Sequence, residues 1–411
     1  MRNRRDSVTS VWESTADFRW ECQLLGENID TLEPSSLIHL SSYKYQSVDK
    51  SHLSKYVLNP FWTYCAKFMP PWLAPNVITL LGIAAIYFNI LCVEIYMPDL
   101  VSQAPSWVYF SFGIGLLFYQ TMDNIDGKQA RKTGTSSPLG ELFDHGIDSL
   151  NCCLAGLVEA AAMGLGISGA GAFTTFSTCI AMYFSTWETY HTHVLYLGVL
   201  NGPTEGIVIA AAVMFLTGIY GPSLWLKSLA DIIPGAPDFV LKDIWVYSVA
   251  FSVFFCHIPF CIYNVYEAKK SRKEDFLVTA WEVIPILVSS LSVYIWMTSP
   301  YSIVLVDNHL VLFALGSSFV FGRMTTAIII AHLTKQKFPY WSLPMVPLIC
   351  GALLVGFGFL SPATELLYLW LYFFFSVIYF LRYAQLVILT FCRYLNINCF
   401  TIKHADIIKA H

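Results

Sequence analysis

Ten near-continuous apolar stretches, most of them close to the ~20 residues a helix needs to cross a hydrocarbon core, succeed one another along this 411-residue chain. They run over 76–97, 106–122, 140–165, 171–192, 205–220, 244–266, 277–298, 309–333, 341–360 and 364–391, the fifth short and the tenth expected to extend into water. Lipid offers a backbone no hydrogen-bond partner, so such runs are confined to helix. With 56% hydrophobic and 13% charged residues, a water-soluble fold would expose large apolar patches and aggregate. The expected fold is therefore all-α: a polytopic integral membrane protein of about ten transmembrane helices, preceded by an N-terminal interfacial amphipathic helix. Aromatic residues at 16% suit the belts that mark membrane–water interfaces.

The flanking sequence orients this bundle. Residues 1–42 are polar, mixed and without period, as in a cytosolic tail, and no apolar core follows the basic start, so no cleaved secretory signal is expected. Residues 43–70 set Tyr43, Tyr45, Leu53, Tyr56, Val57, Phe61, Trp62 and Phe68 among Lys44, Lys50, Lys55 and Lys67, a mixture for a helix lying in the interface. Pro70-Pro71 breaks it. With ten crossings, 20 of the 24 Lys and Arg residues fall on one side, which makes that side cytosolic. A net charge of −4 gives no footprint for nucleic acid. The eleven cysteines form no regular framework, and adjacent Cys152-Cys153 read as small core residues in a reducing or lipid setting.

Four carboxylates interrupt the apolar pattern: Asp123 and Asp126 at the end of the second run, Asp144 and Asp148 at the start of the third. Ionised side chains at membrane depth are costly and usually pair or hold an ion. Spacings of three and four put each pair on one helix face. At about 100° per residue, His145 falls within roughly 100° of both Asp144 and Asp148. Two helix ends brought together would converge four carboxylates and one imidazole. Hard oxygen donors without a soft ligand suit Mg²⁺ or Mn²⁺, and a pair of ions roughly 3.5–4 Å apart would clamp a pyrophosphate. A plain Asp126-Gly127 turn with loop-solvating acids is the simpler alternative, but it does not require acids four apart heading into an apolar run.

Asp123, Asp126, Gly127, Ala130, Arg131, Gly140, Asp144 and Asp148 fit D-x-x-D-G-x-x-A-R-x8-G-x3-D-x3-D without a departure. The chain thus resembles the CDP-alcohol phosphotransferases over roughly residues 70–270. The Phe143-Asp144-His145-Gly146-Ile147-Asp148 run, Tyr43-Lys44-Tyr45-Gln46-Ser47 and residues 187–206 resemble the choline/ethanolaminephosphotransferase branch, especially its fungal members. The resemblance implies a division into a tail (1–42), an interfacial segment (43–70), catalytic helices (71–270), further membrane helices for homodimer contacts (271–392) and a cytosolic C-terminal tail (393–411). It implies a Mg²⁺- or Mn²⁺-dependent enzyme with two ions, in the endoplasmic reticulum and/or Golgi membrane, its site facing the cytosol. Phosphocholine and/or phosphoethanolamine would pass from CDP-choline or CDP-ethanolamine to the 3-hydroxyl of diacylglycerol, yielding CMP and phosphatidylcholine or phosphatidylethanolamine. The alternatives are another family member, with inositol or glycerol phosphate chemistry, and a membrane cation transporter. Transporters usually hold such acids near the midplane on broken helices, whereas these lie at one interface.

Around the motif, Gly127 and Gly140 would let nucleotide or backbone approach, the competing use being helix packing by glycine. Ala130 completes the small-residue positions of the signature. Arg131 carries a planar fork for phosphate oxygens or anchors the cytosolic side. Asn76, in Pro75-Asn76-Val77-Ile78-Thr79, resembles the family's Pro-Asn-x-x-Thr nucleotide element and equally suits a helix cap. His145 can be neutral near physiological pH and accept the proton of an attacking hydroxyl, with Asp148 the rival base. Trp187, Glu188, Tyr190 and Glu205 could surround an ammonium headgroup by charge and cation–π contact, or form an interfacial belt with helix-end acids.

Overall fold

The computed structural model describes residues 34–43, 45–166, 168–199 and 201–402. The first 33 residues of the expected N-terminal tail, and residues 403–411 of the C-terminal one, lie outside the described residues. The chain is mostly helical: α1 (Asn59–Lys67), α2 (Pro75–Tyr96), α3 (Ser106–Thr133), α4 (Pro138–Ala162), α5 (Gly169–Thr192), α6 (Ile207–Tyr220), α7 (Leu241–Phe251), α8 (Ile258–Ser271), α9 (Ile284–Thr298), α10 (Leu310–Thr334), α11 (Met345–Gly356) and α12 (Pro362–Leu395). One short parallel ribbon departs from all-α: β1 (Ser47–Asp49) pairs with β2 (Leu195–Leu197), Val48 opposite Tyr196.

Each of the ten apolar runs contains a helix, but they are not equally apolar. Among the described residues, six helical segments are long and apolar enough to cross a membrane: Pro75–Tyr96, Gly202–Tyr220, Leu241–Ser271, Leu277–Thr298, Leu310–Thr334 and Pro362–Leu395. The other four fall short for two reasons. α11 has only 12 residues. α3, α4 and α5 are long enough, yet polar side chains such as Gln120, Asp126, Asn151, Glu159, Thr174 and Thr175 dilute them. These three are the helices around the carboxylates, and they carry their polar groups inward: Gln120, Asp126, Asn151, Thr174 and Thr175 are all buried. α10 packs along α4 and is almost wholly buried, while α3 lies between α2 and α6.

Where the expected interfacial helix falls, α1 continues a π-helical turn over Ser54–Leu58. It buries Trp62 and Ala66 and exposes Tyr56, Val57, Phe61, Tyr64 and Phe68. The end of α3 clamps it: Lys128 Nζ donates to Asn59 Oδ1, and Lys132 Nζ to the Met69 carbonyl at 2.9 Å. Gln129 Nε2 donates to the carbonyls of Pro70 and Leu73 at 2.8 and 3.0 Å, so the Pro70-Pro71 break is held by side chains rather than left free.

The α3–α4 connection sets the site. Gly134, at φ 67°, ends α3 with the left-handed residue of a Schellman motif. The Thr135 N–H reaches the Ala130 carbonyl at 2.9 Å. Ser137 then caps α4, its Oγ accepting from the Gly140 N–H at 3.2 Å, with Pro138 in the first turn. Four residues, 134–137, thus set the last turns of α3 against the first turns of α4. The same end of the bundle gathers other connections. Arg272 donates to the His191 carbonyl at 2.7 Å, Tyr190 to the Gln336 carbonyl at 2.8 Å, and Gln120 to the Pro203 carbonyl at 2.8 Å. Two of these connections, around Arg272 and around Lys335 and Lys337, carry basic residues.

Candidate active site

Across the α3–α4 turn, carboxylate oxygens of Asp123, Asp144 and Asp148 come within 4.8 Å of one another. Asp126 stands beside them within hydrogen-bond reach of Asp144, but its Oδ2 accepts a 2.5 Å bond from Thr79 Oγ1 of α2. Asp148 Oδ1 accepts from the Tyr119 hydroxyl. Asp123 Oδ1 and Asp144 Oδ1 are buried and have no hydrogen-bond partner. Among the described residues, no Lys or Arg forms an ion pair with any of the four. Like charges gathered with orphaned oxygens are unstable unless a cation joins them. All the donors are hard oxygens, the set that Mg²⁺ or Mn²⁺ takes, so the residues present fit a divalent metal.

His145 follows Asp144 on α4 but is not one of the converging ligands. Its ring faces the N-terminal segment, edge-on to Tyr45 with centroids 6.3 Å apart. The ribbon of β1 and β2 ties that segment down, with the Leu195 N–H on the Gln46 carbonyl and the Lys50 N–H on the Leu197 carbonyl, both at 3.0 Å. Tyr45 lies within Coulombic reach of Asp144, Glu141 and Asp123. Tyr43 donates its hydroxyl to Glu141 Oε1 at 2.8 Å and lies 3.4 Å from His332 Nε2. Burial, helped by the Glu141 carboxylate, raises the Tyr43 phenol far above its usual range, so it stays a donor.

Glu141 is the residue that sequence reading passed over. It sits one turn before His145 and within Coulombic reach of it, and its Oε2 is buried without a hydrogen-bond partner. The same i, i+4 spacing that singled out Asp144 and Asp148 would have found it. Tyr119, four residues before Asp123 and bonded to Asp148, was missed for a different reason. A tyrosine in an apolar run carries no signal until the facing helix is known.

At the two signature glycines a side chain would meet only ordinary van der Waals contacts. A Cβ built on Gly140 would meet nothing nearer than Ser137 Oγ at 3.8 Å and Asn76 Oδ1 at 4.0 Å. One built on Gly127 would meet only Arg131 Nη1, at 3.5 Å. Gly156, lower on α4, differs: its Cβ would lie 2.5 Å from the Thr174 carbonyl oxygen, which is close helix packing. Gly127 and Gly140 are therefore not packing glycines. Ala130 is half-buried and Arg131 exposed. Asn76 does not cap α2, whose cap position is Ala74. Its side chain instead reaches the C-terminal segment.

The four headgroup candidates are not joined into a cage. Trp187 is buried and donates to Glu282 Oε2 at 2.8 Å, an oxygen that also meets His191 Nε2 at 2.6 Å. Glu188 accepts from Asn264 at 2.6 Å. Tyr190 is held by Gln336, and Glu205 by the Ser51 hydroxyl and the Asn201 N–H. Each is bonded to a partner of its own.

Cation-seeking carboxylates at the end of helices that bury their polar side chains, with an imidazole on the same helix, are an arrangement suited to metal-assisted phosphoryl transfer. Residues 72–233 match the family model described as CDP-alcohol phosphatidyltransferase. A Dictyostelium discoideum protein described as an uncharacterized CDP-alcohol phosphatidyltransferase class-I family protein is 35% identical, covering 91% of this chain and 99% of its own. Choline/ethanolaminephosphotransferase 1 of Saccharomyces cerevisiae is 35% identical over 91% of this chain and 98% of its own. Choline/ethanolaminephosphotransferase 1 of Arabidopsis thaliana is 37% identical over 89% and 97%. The chain belongs to the CDP-alcohol phosphatidyltransferase family.

Proposed function

We propose that this chain transfers phosphocholine or phosphoethanolamine from the CDP-alcohol to the 3-hydroxyl of diacylglycerol, releasing CMP. The observation that carries the reading is the convergence of Asp123, Asp144 and Asp148 on an otherwise apolar bundle, in a chain with relatives of that name. With Asp126 behind them, these residues would hold Mg²⁺ or Mn²⁺, one ion or two, whose charge offsets that of the pyrophosphate. Gly127 and Gly140, where no side chain crowds the backbone, let the nucleotide approach, and the exposed Arg131 presents its fork to phosphate oxygens. His145 takes the proton of the acceptor hydroxyl, whose oxygen forms the new bond to the phosphorus that bears the headgroup. The bond from that phosphorus to the bridging oxygen breaks, and CMP leaves with the electron pair. Glu141 stabilises the resulting imidazolium, while Tyr43 fixes the carboxylate.

The rest of the reading follows from one soluble and one lipid substrate. The ten helical runs cross the membrane ten times, α1 lies in the interface, and the site opens to the cytosol on the endoplasmic reticulum or Golgi membrane. Residues 71–270 form the catalytic unit. Residues 271–392 serve a homodimer, and through α10, whose His332 meets Tyr43, they also frame the site. Glu205 is the headgroup candidate best placed toward α3, since the neighbouring Thr204 carbonyl accepts from Gln120 at 3.2 Å.

Purified protein in lipid vesicles with diacylglycerol and Mg²⁺ should release CMP from CDP-choline, CDP-ethanolamine or both, and form the matching lipid. Silence with both donors, together with CMP release from CDP-diacylglycerol plus inositol or glycerol phosphate, would overturn the reading.

A further inference from the structure

The two ends of the chain meet at the catalytic helices, and the C-terminal meeting is the more specific. α12 stops at Asn396, in left-handed conformation at φ 57°, and the Ile397 N–H turns back to the Cys392 carbonyl at 3.0 Å. The chain then lies against the start of α4. Cys399 is buried in one cluster with Leu139 and Leu142, and the Phe400 ring stands edge-on to Phe143, centroids 5.7 Å apart. Asn398 Nδ2 closes the turn on Thr401 Oγ1 at 2.8 Å. From α2, Asn76 Nδ2 donates to the Cys399 carbonyl at 3.0 Å and contacts its Sγ at 3.3 Å.

We propose that this strap, residues 396–402, backs the nucleotide pocket from behind Asn76 and that the Cys399 main-chain carbonyl locks the orientation of the Asn76 amide. The proposal rests on the nucleotide reading given above. A carbonyl oxygen only accepts, so it demands the NH₂ end of Asn76. The amide oxygen is thereby turned the other way, to within 4.0 Å of where a Cβ on Gly140 would stand. An amide without the strap could present either end. Locked, it offers an acceptor, which matches the exocyclic amine of cytosine and opposes the keto oxygen that uracil carries there. Cys399 and Phe400 are positioning residues: they act through Asn76 and touch no substrate themselves.

The test uses full-length protein with Phe400→Asp, which places a charge in the apolar seat on Phe143, and Phe400→Leu, which keeps an apolar anchor. Maleimide labelling mapped by mass spectrometry reports release of the strap through the otherwise buried Cys399 thiol. Activity is measured with CDP-choline and with UDP-choline as the probe of base choice. One lost hydrogen bond predicts a KM for CDP-choline raised about three- to tenfold in Phe400→Asp, with kcat and the diacylglycerol dependence held. The preference for CDP-choline over UDP-choline should narrow, and Phe400→Leu should restore both. If Cys399 stays protected in Phe400→Asp, a chain ending at Leu395 carries the same expectation. An exposed thiol with KM and base preference unchanged would overturn the lock, and so would a lowered KM, which would make the strap a plug. Wild-type protein inactive on CDP-choline and CDP-ethanolamine would instead fault the reaction assigned above.

Discussion

Gly140→Ala separates a binding role from a packing role in one substitution. Gly140 lies in the first turn of α4, and its N–H bond to Ser137 survives the change. The added methyl would stand 3.8 Å from Ser137 Oγ and 4.0 Å from Asn76 Oδ1, ordinary van der Waals distances. Folding should therefore be unaffected or slightly favoured, since alanine exceeds glycine in a helix by up to ~1 kcal/mol. On the proposed nucleotide reading, however, the methyl would intrude where the nucleotide approaches the backbone. One extra carbon forced into a filled contact costs about 1–3 kcal/mol, or roughly five- to 150-fold in affinity. The measurements are thermal unfolding of the purified protein and KM for CDP-choline and for diacylglycerol. The expected result is an unchanged or raised midpoint, a KM for the CDP-alcohol raised within that range, and an unchanged response to diacylglycerol. Gly156→Ala is the comparison: with the Thr174 carbonyl oxygen 2.5 Å from its Cβ, it should lose stability. A Gly140→Ala protein with normal nucleotide KM would refute that approach. So would one in which the midpoint and both KM values move together.

Asp144→Asn should lower turnover roughly 10²-fold or more while the protein inserts and purifies normally, and chelation should silence wild type reversibly; normal turnover at unchanged metal would dismiss the carboxylate site. His145→Gln keeps a polar group but no base at neutral pH, so turnover should fall about 10²–10⁴-fold with nucleotide binding intact. An active Gln variant would shift the base to Asp148. A cysteine placed at Lys270 should be labelled from the cytosol and one at Tyr301 from the lumen; labelling of both from one side would mean a helix pair that does not cross.

Much of the fold was legible because lipid enforces a single rule. A run of apolar residues in a bilayer must be helical, and each run read from the sequence contains a helix, six of them, among the described residues, long and apolar enough to cross. What hydropathy could not do was rank them. It treats α3, α4 and α5 as weak membrane helices because of Gln120, Asn151, Glu159 and Thr174. The structure shows those side chains inside the bundle, so the polar content belongs to a protein interior. Glu159, for example, is bonded to Trp245 of α7. The β1–β2 ribbon was invisible for a related reason: three residues pairing with three others about 150 positions away leave no period to detect.

The site divided along the same line. Carboxylates that share a face by spacing within one helix, such as Asp144 and Asp148, could be placed together directly, because i, i+4 relations survive folding unchanged. Residues whose role depends on what faces them could not. Trp187 and Glu188 have the composition of an ammonium site, but Glu282 and Asn264 arrive from distant segments and engage them first. Asn76 shows the reverse: its sequence context left a helix cap and a nucleotide contact equally open. The α2 cap position falls at Ala74, and a carbonyl 323 residues further on engages the amide instead. The chemistry of a buried polar side chain is thus decided by its first partner, and for Trp187, Glu188 and Asn76 those partners come from segments that the signature motif does not cover.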